Sequence, residues 1–298
     1  MKIFDCFMYF DEDLILDLRL NYLDKYVDHF VIVESKYNHN GEKREPLFNI
    51  EKFKKFKNKI TYLLLDQEGE DFAKINNDDN PNLKAGKKVM NALKRENYQR
   101  NFLLNGLAHA KDDDWIIISD LDEIPNLEIN DLRKSRSKIV FFKQLMIYYK
   151  LNLFLDKYPW TGSKACKKKD LQSPQWLRNI KDKNYPWWRI DVFFSDKKFS
   201  NIEIFENGGW HFSYIKSPQN IEKKLKSYLH HVEYELNPLG EKKISELIKQ
   251  KKAVYDLRVD SKLNKFQEGS ELKKLNPNLL PRYITDNLNK FNEWIENE

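Results

Sequence analysis

Cysteine is almost missing from this chain: Cys6 and Cys166 are the only two in 298 residues. They lie far apart in no metal-like spacing, and Cys6, set in an apolar stretch, reads as a buried thiol. No apolar run reaches the ~20 residues needed to span a bilayer. Met1-Lys2 leads straight into Ile3-Phe4-Asp5-Cys6-Phe7-Met8-Tyr9-Phe10, too polar and short for a signal sequence, so the expected location is cytoplasmic. Helix-turn-helix, zinc-finger and RNA-binding signatures are absent, so nucleic acid is not an expected partner. Neither an internal repeat nor a low-complexity segment is present.

What remains is a folding sequence. Hydrophobic residues make up 41% and aromatics 14% of the chain, enough to exclude disorder. The length accommodates one large domain or a domain with an appendage. The net charge of +6, from 52 basic and 46 acidic residues, permits attraction to phosphates or an anionic membrane without requiring either.

The most informative stretch is Trp115 to Pro125, where an apolar run meets Asp120, Asp122 and Glu123. A short continuous apolar run predicts a strand buried on both faces, as in a parallel sheet. Ligands in open α/β sheets bind beyond the carboxyl ends of such strands. Clustered acids there repel one another, so something positive should hold them, most simply a divalent cation. In extended backbone Asp120 and Asp122 share a side, with Leu121 pointing to the core. Oxygen ligands suit magnesium or manganese. The competing reading has all three acids capping the next helix.

Taken in order, residues 2–10 predict a strand, 13–27 an amphipathic helix, and His29 to Glu34 a second strand parallel to the first, a βαβ unit. Glu34 and Ser35 then share the carboxyl edge with Asp120. Lys43 and Arg44 sit in a polar loop within reach of phosphates. A short basic helix at 51–58, a strand at Ile60 to Leu65, a polar loop and a helix at roughly 84–110 follow; Arg100 and Asn101 on that helix could face the cleft. Beyond Pro125 the pattern gives a helix at 129–136, one bent strand or two over Ile139 to Leu155, and a turn at Trp160 to Ser163. Trp187 and Trp188 offer flat faces for sugar stacking, although such density is commonly core. Gly208 and Gly209 predict a tight turn or close backbone approach, and His211, between Trp210 and Phe212, is either a satisfied core histidine or a ligand. Basic helices are expected at 217–235, with Lys224, His230 and His231, and at 241–254. Their lysines read as solvated faces or as a peripheral membrane contact.

In order along the chain, Phe4-Asp5-Cys6-Phe7, Asp28 to Ser35, Gln99-Arg100-Asn101, Ser119 to Pro125 and Gly209 to Ser213 resemble glycosyltransferase family 17, the β-1,4-mannosyl-glycoprotein β-1,4-N-acetylglucosaminyltransferases and their relatives. The resemblance covers roughly residues 2–235. It implies an α/β, GT-A-like (Rossmann-like), mixed but mostly parallel sheet flanked by helices, with a catalytic domain over 1–215 and a helical extension over 216–298 packed on it. It also implies an inverting, Mn2+- or Mg2+-dependent transferase. Its donor would be a nucleotide sugar, UDP-GlcNAc, and its acceptor a glycan or lipid-linked saccharide. On that resemblance Asp120 and Asp122 form the Asp-x-Asp that bridges donor diphosphate and metal, with Asp120, Asp122 and His211 as the metal ligands and Asp122 foremost among them. Glu34, Ser35, Arg100, Asn101, Asp120 and Lys224 are candidates for holding the donor. Glu123 is the first candidate base, with Asp191 and Glu206 behind it. A membrane anchor and luminal stem like those of vertebrate members are not expected. Two other readings of the residues stay open: a metal-dependent phosphoester hydrolase or nucleotidyltransferase, and a non-catalytic glycan-binding protein.

Overall fold

The structure, a computed structural model, describes residues 1–156, 158–183, 185–186, 188–227, 234–235, 238–254 and 269–297. Its centre is β1 (Ile3–Tyr9), apolar at almost every position and buried on both faces. It is followed by α1 (Asp13–Leu23) and β2 (His29–Ser35), and β2 pairs parallel with β1. β3 (Ile60–Leu65) adds parallel to β2, and β4 (Trp115–Asp120) adds parallel to the other side of β1. The order β3-β2-β1-β4 therefore reverses direction between β1 and β4. Such a switch point opens a crevice at the carboxyl ends of the strands.

The sheet continues past β4 in mixed fashion. β8 (Trp160–Lys167) runs antiparallel to β4 and to β6 (Ile139–Tyr148), and beyond β6 lie β7 (Leu153–Phe154) and β10 (Lys273–Lys274). β9 (Ile202–Ser213) runs parallel to β6 and antiparallel to β5 (Glu123–Pro125). The fold is mixed α/β around a largely parallel central sheet, as the alternation of elements predicts.

Apolar side chains cover both faces. Phe7, Leu16, Leu20, Ile117 and Trp210 pack on one face, joined by Ile284 of α7 (Arg282–Thr285) and Phe291 of α8 (Leu288–Phe291). Val31, Leu103, Ile116, Trp176 and both cysteines pack on the other. A third cluster joins Met146, Tyr148 and Leu153 to α5 (Pro218–Ser227) and α6 (Gly240–Lys249). Among the described residues no helix is long and apolar enough to cross a membrane.

Three local expectations change. The helix at 129–136 is only a 3-10 turn, Leu132–Lys134, because the Asp131 side chain accepts from Arg133 N and Leu132 is its sole buried residue. The turn at Trp160 to Ser163 is instead the start of β8; glycine at 162 lets the strand lie close to Gln144, whose Oε1 would stand 1.8 Å from an added Cβ. The helix at 84–110 is α2 (Pro81–Phe102), capped by Asn80 with Pro81 in its first turn, followed by a 3-10 turn, Leu103–Leu107. Of the helix expected at 217–235, α5 covers Pro218–Ser227, while 228–233, with His230 and His231, lie outside the described residues.

Candidate active site

A cavity of about 410 Å³ opens at the carboxyl ends of β1, β2 and β4, within the range of small-ligand sites. Met8 and Tyr9 of β1 and Phe10 just after it form part of its wall, with Ser35 from β2, and Asp120 and Asp122 from β4 and the turn after it. Asp120 ends the strand, but Asp122 lies in the turn before β5. The two acids therefore do not share one extended face, as the spacing alone predicts; β9 positions Asp122 instead. Phe212 N donates to Asp122 O at 2.8 Å, and the β5–β9 pairing sets His211 opposite Glu123. Gly209, at φ 131, makes that pairing possible, since an added Cβ would sit 2.1 Å from Ile124 O.

From below, one buried arginine grips this turn. Arg19 Nε and Nη2 donate to Asp5 at 2.7 and 2.6 Å. Its Nη1 donates to the carbonyls of Asp120, Leu121 and Glu123 at 3.1, 3.0 and 2.7 Å. An acid in the middle of β1 is thus paired, and its partner fixes the carboxylate-bearing turn.

Facing the cavity, the countercharges the sequence assigns to a metal are supplied by side chains. Arg100 Nη2 and Arg178 Nη2 bind the two oxygens of Asp120 at 3.0 and 3.1 Å. Burial raises the Asp120 pKa, but Arg178 and Arg100 outweigh it and bring it down to about 2. Lys224 Nζ stands 3.3 Å from Asp122 Oδ2 and His211 Nε2 3.6 Å from Asp122 Oδ1. Burial opposes ionisation of Asp122 too, yet Lys224 and His211 hold it well below the usual carboxylate range. In return, although burial favours neutral imidazole, Asp122 raises the His211 pKa. Lys224 also lies 3.4 Å from Glu12, and Lys216 binds Asp11 and Glu12.

Asp122 and His211 are the two residues here whose donor atoms could hold a divalent cation. Their facing atoms are too far apart for a good hydrogen bond, and adjacent octahedral ligands at ~2.1 Å stand ~3.0 Å apart, so the pair would have to close by about half an ångström on one ion. His211 Nδ1 is buried without a partner. No three His, Cys, Asp or Glu side chains form a metal cluster among the described residues, so the protein would supply part of the coordination sphere, leaving the rest to ligand and water as magnesium favours.

The structure brings Ser35, Arg100, Asp120, Asp122, His211 and Lys224 to one cavity, together with Arg44 from the polar loop. Other candidates go elsewhere. Glu34 is sealed: its carboxylate accepts from Leu47 N, Phe48 N and Tyr62 OH at 2.7, 3.0 and 2.9 Å and pairs with Arg44, so it anchors the loop after β2. Asn101 Oδ1 accepts from Gln175 N at 2.9 Å at the start of α3 (Pro174–Asn179). Glu123 is buried and outside the lining. Its oxygens accept from Arg178 at 2.6 and 3.1 Å, Trp160 Nε1 at 2.7 Å and Asp120 N at 3.0 Å. Asp191, on α4 (Ile190–Phe193), pairs with Arg189 and Lys198, and Glu206 is exposed on β9; neither lines the cavity. Trp188 is exposed away from the lining, and Trp187 lies outside the described residues.

Sequence reasoning missed Arg19, Arg178, Trp160, Glu12 and Glu96. Arg178 lies 58 residues from Asp120 on a six-residue helix, and no local pattern marks it. Asp5 gave the one usable signal: a lone acid inside an apolar strand needs a buried cation.

Parallel strands ending at a switch-point cavity lined by acids and fixed cations define an α/β enzyme built for a polar ligand. Comparison with protein families carries this further: the model of glycosyltransferase family 17 matches residues 1–295. The chain belongs to that family, and it is a glycosyltransferase. A search of curated proteins finds no match.

Proposed function

We infer that the protein is a metal-dependent, inverting glycosyltransferase of GT-A type that moves N-acetylglucosamine from UDP-GlcNAc to a glycan or lipid-linked acceptor hydroxyl. Family membership supports a nucleotide-sugar donor and a saccharide acceptor; the choice of sugar and the inversion rest on the resemblance to N-acetylglucosaminyltransferases. The observation that carries the reading is the facing pair Asp122 and His211 on the cavity wall, 3.6 Å apart, with Lys224 beside them.

Each residue then has a task. Arg100 and Arg178 hold the Asp120 carboxylate in one orientation, ready to accept hydrogen bonds from donor hydroxyls. Lys224 offers an ammonium to the diphosphate. Asp122 and His211 would hold the cation, which when bound screens the diphosphate and stabilises it as it leaves. The acceptor oxygen forms a bond to the anomeric carbon as the bond to the diphosphate oxygen breaks, and the hydroxyl proton passes to a carboxylate that reaches the cavity. Glu12 and Glu96 line it. Glu123 does not, and we give it the role of orienting Arg178 and Trp160.

The test is a screen of UDP and GDP sugars by thermal shift with manganese, followed by turnover assays. UDP-GlcNAc should raise the midpoint in a metal-dependent way, and Asp122→Ala should abolish both that shift and transfer. Retained activity in Asp122→Ala would remove the central claim. Rapid release of a nucleoside monophosphate without acceptor would favour a hydrolase, and glycan affinity without metal-dependent nucleotide binding a lectin-like protein.

A further inference from the structure

Between α3 and β9 the chain makes an excursion over residues 181–199. The base of this excursion is anchored: Asp182 binds Lys143 and Thr161, and Thr161 follows the cavity-lining Trp160. Lys181 N donates to Lys197 O at 3.0 Å and Tyr185 N to Phe199 O at 3.3 Å, tying the outgoing and returning arms together. Beyond these bonds stand Trp188, Ile190 and Phe194, exposed by 67, 72 and 86%, the three highest values of any large apolar side chain among the described residues. Single exposed apolar groups are ordinary; three on one short projection mark a contact surface.

Charge decides which surface. Asp182 and Asp191 are taken by Lys143 and by Arg189 with Lys198. Lys181 and Lys197 lie exposed at the base and Lys183 on the outgoing arm, against one further exposed acid, Asp196. Apolar and aromatic tips above a net basic base suit the boundary between lipid headgroups and acyl chains. A saccharide site would instead be a cleft, whereas side chains this exposed stand on a convex surface.

We propose that this projection docks the protein on an anionic lipid surface. Trp188, Ile190 and Phe194 enter the headgroup boundary, and Lys181, Lys183 and Lys197 face lipid phosphates. Docking needs no donor, cation or acceptor, so it stands or falls independently of the chemistry proposed above.

Flotation of the full chain with phosphatidylcholine vesicles, with and without phosphatidylglycerol, tests it. The wild type should float with the anionic vesicles, less so as salt screens the lysines. The triple variant Trp188→Ser, Ile190→Ser, Phe194→Ser should lose at least ~10-fold in partitioning with its unfolding midpoint unchanged. Changing Lys181, Lys183 and Lys197 to Gln should cost about fivefold per lysine, while Lys242→Gln with Lys243→Gln on α6 should leave binding as it was. Wild-type protein that stays unbound at low salt overturns the proposal. So does a serine variant that floats as well as wild type, or sedimentation velocity showing that the patch is covered by a second copy of the chain.

Discussion

Two charged clusters hold the same turn, Asp120 to Glu123, from opposite sides, and they are built differently. Beneath it, Asp5 and Arg19 are fully buried, and all five contacts of the guanidinium fall between 2.6 and 3.1 Å. Above it, Lys224 and His211 stand 3.3 and 3.6 Å from Asp122, and one ring nitrogen of His211 has no partner. The lower cluster is complete without any ligand, so its charges serve the architecture. The upper one has longer contacts and opens on a cavity, where a ligand can join it. Like charges in one turn can thus be divided between folding and chemistry by which side is sealed.

The contrast can be broken most directly at Asp122. Asp122→Ala should lower turnover by at least ~10³-fold, about 4 kcal/mol in the barrier, with a smaller loss of stability than Arg19→Leu, as steady-state kinetics and urea unfolding would show together. A variant that unfolds instead would place Asp122 in the architectural class.

Arg19→Leu should behave in the opposite way, destabilising the fold by ~3–5 kcal/mol because Asp5 and three carbonyls are left buried without partners. Denaturant titration reads this, and pairing Arg19→Leu with Asp5→Leu should recover part of the loss by removing the stranded charge. If the double variant is no better than the single one, the cluster is not the closed pair described.

Arg178 spans the two classes, touching Asp120 on the cavity and Glu123 in the interior. Arg178→Lys keeps the charge but cannot reach both acids with a planar fork. It should cost ~1–3 kcal/mol, divided between the unfolding free energy and donor affinity measured by calorimetry. A cost wholly in stability would assign Arg178 to the lower cluster.

The smallest effect concerns protons. Asp122 raises the His211 pKa, so the pair's contribution to stability is present below the ordinary histidine value and fades as pH rises through the raised one. Cation binding requires the neutral ring. Apparent Mn2+ affinity should therefore climb by up to ~10-fold, about 1.4 kcal/mol, per pH unit below that raised value and then level off. Calorimetry in buffers of different ionisation enthalpy reads the released proton, and His211→Asn should flatten the slope. A slope that survives the substitution would exclude His211 as the competing base.

Much of the frame is written locally. Ile3–Tyr9, His29–Ser35, Ile60–Leu65 and Trp115–Asp120 are unbroken or nearly unbroken apolar runs, and such runs read as strands of a parallel sheet before any contact is known. The paired glycines before Trp210 likewise announce a close backbone approach, which the structure shows at Gly209. The element at 129–136 misleads because its helical pattern buries only Leu132, too little apolar contact to hold a helix against its own capping side chains.

By itself, then, the sequence determined the strands, the helices between them and the placing of acids at a strand end, because each depends on residues a few positions apart. Only the tertiary structure decided which acid does what. Glu123 turns inward to Arg178, 55 residues away, while Asp122 meets Lys224, 102 residues away. Neighbouring carboxylates look alike in sequence; they differ only in which distant cation is buried with them and which faces remain open to a ligand. Burial makes that pairing decisive, because a desolvated charge must find its partner wherever in the chain it lies.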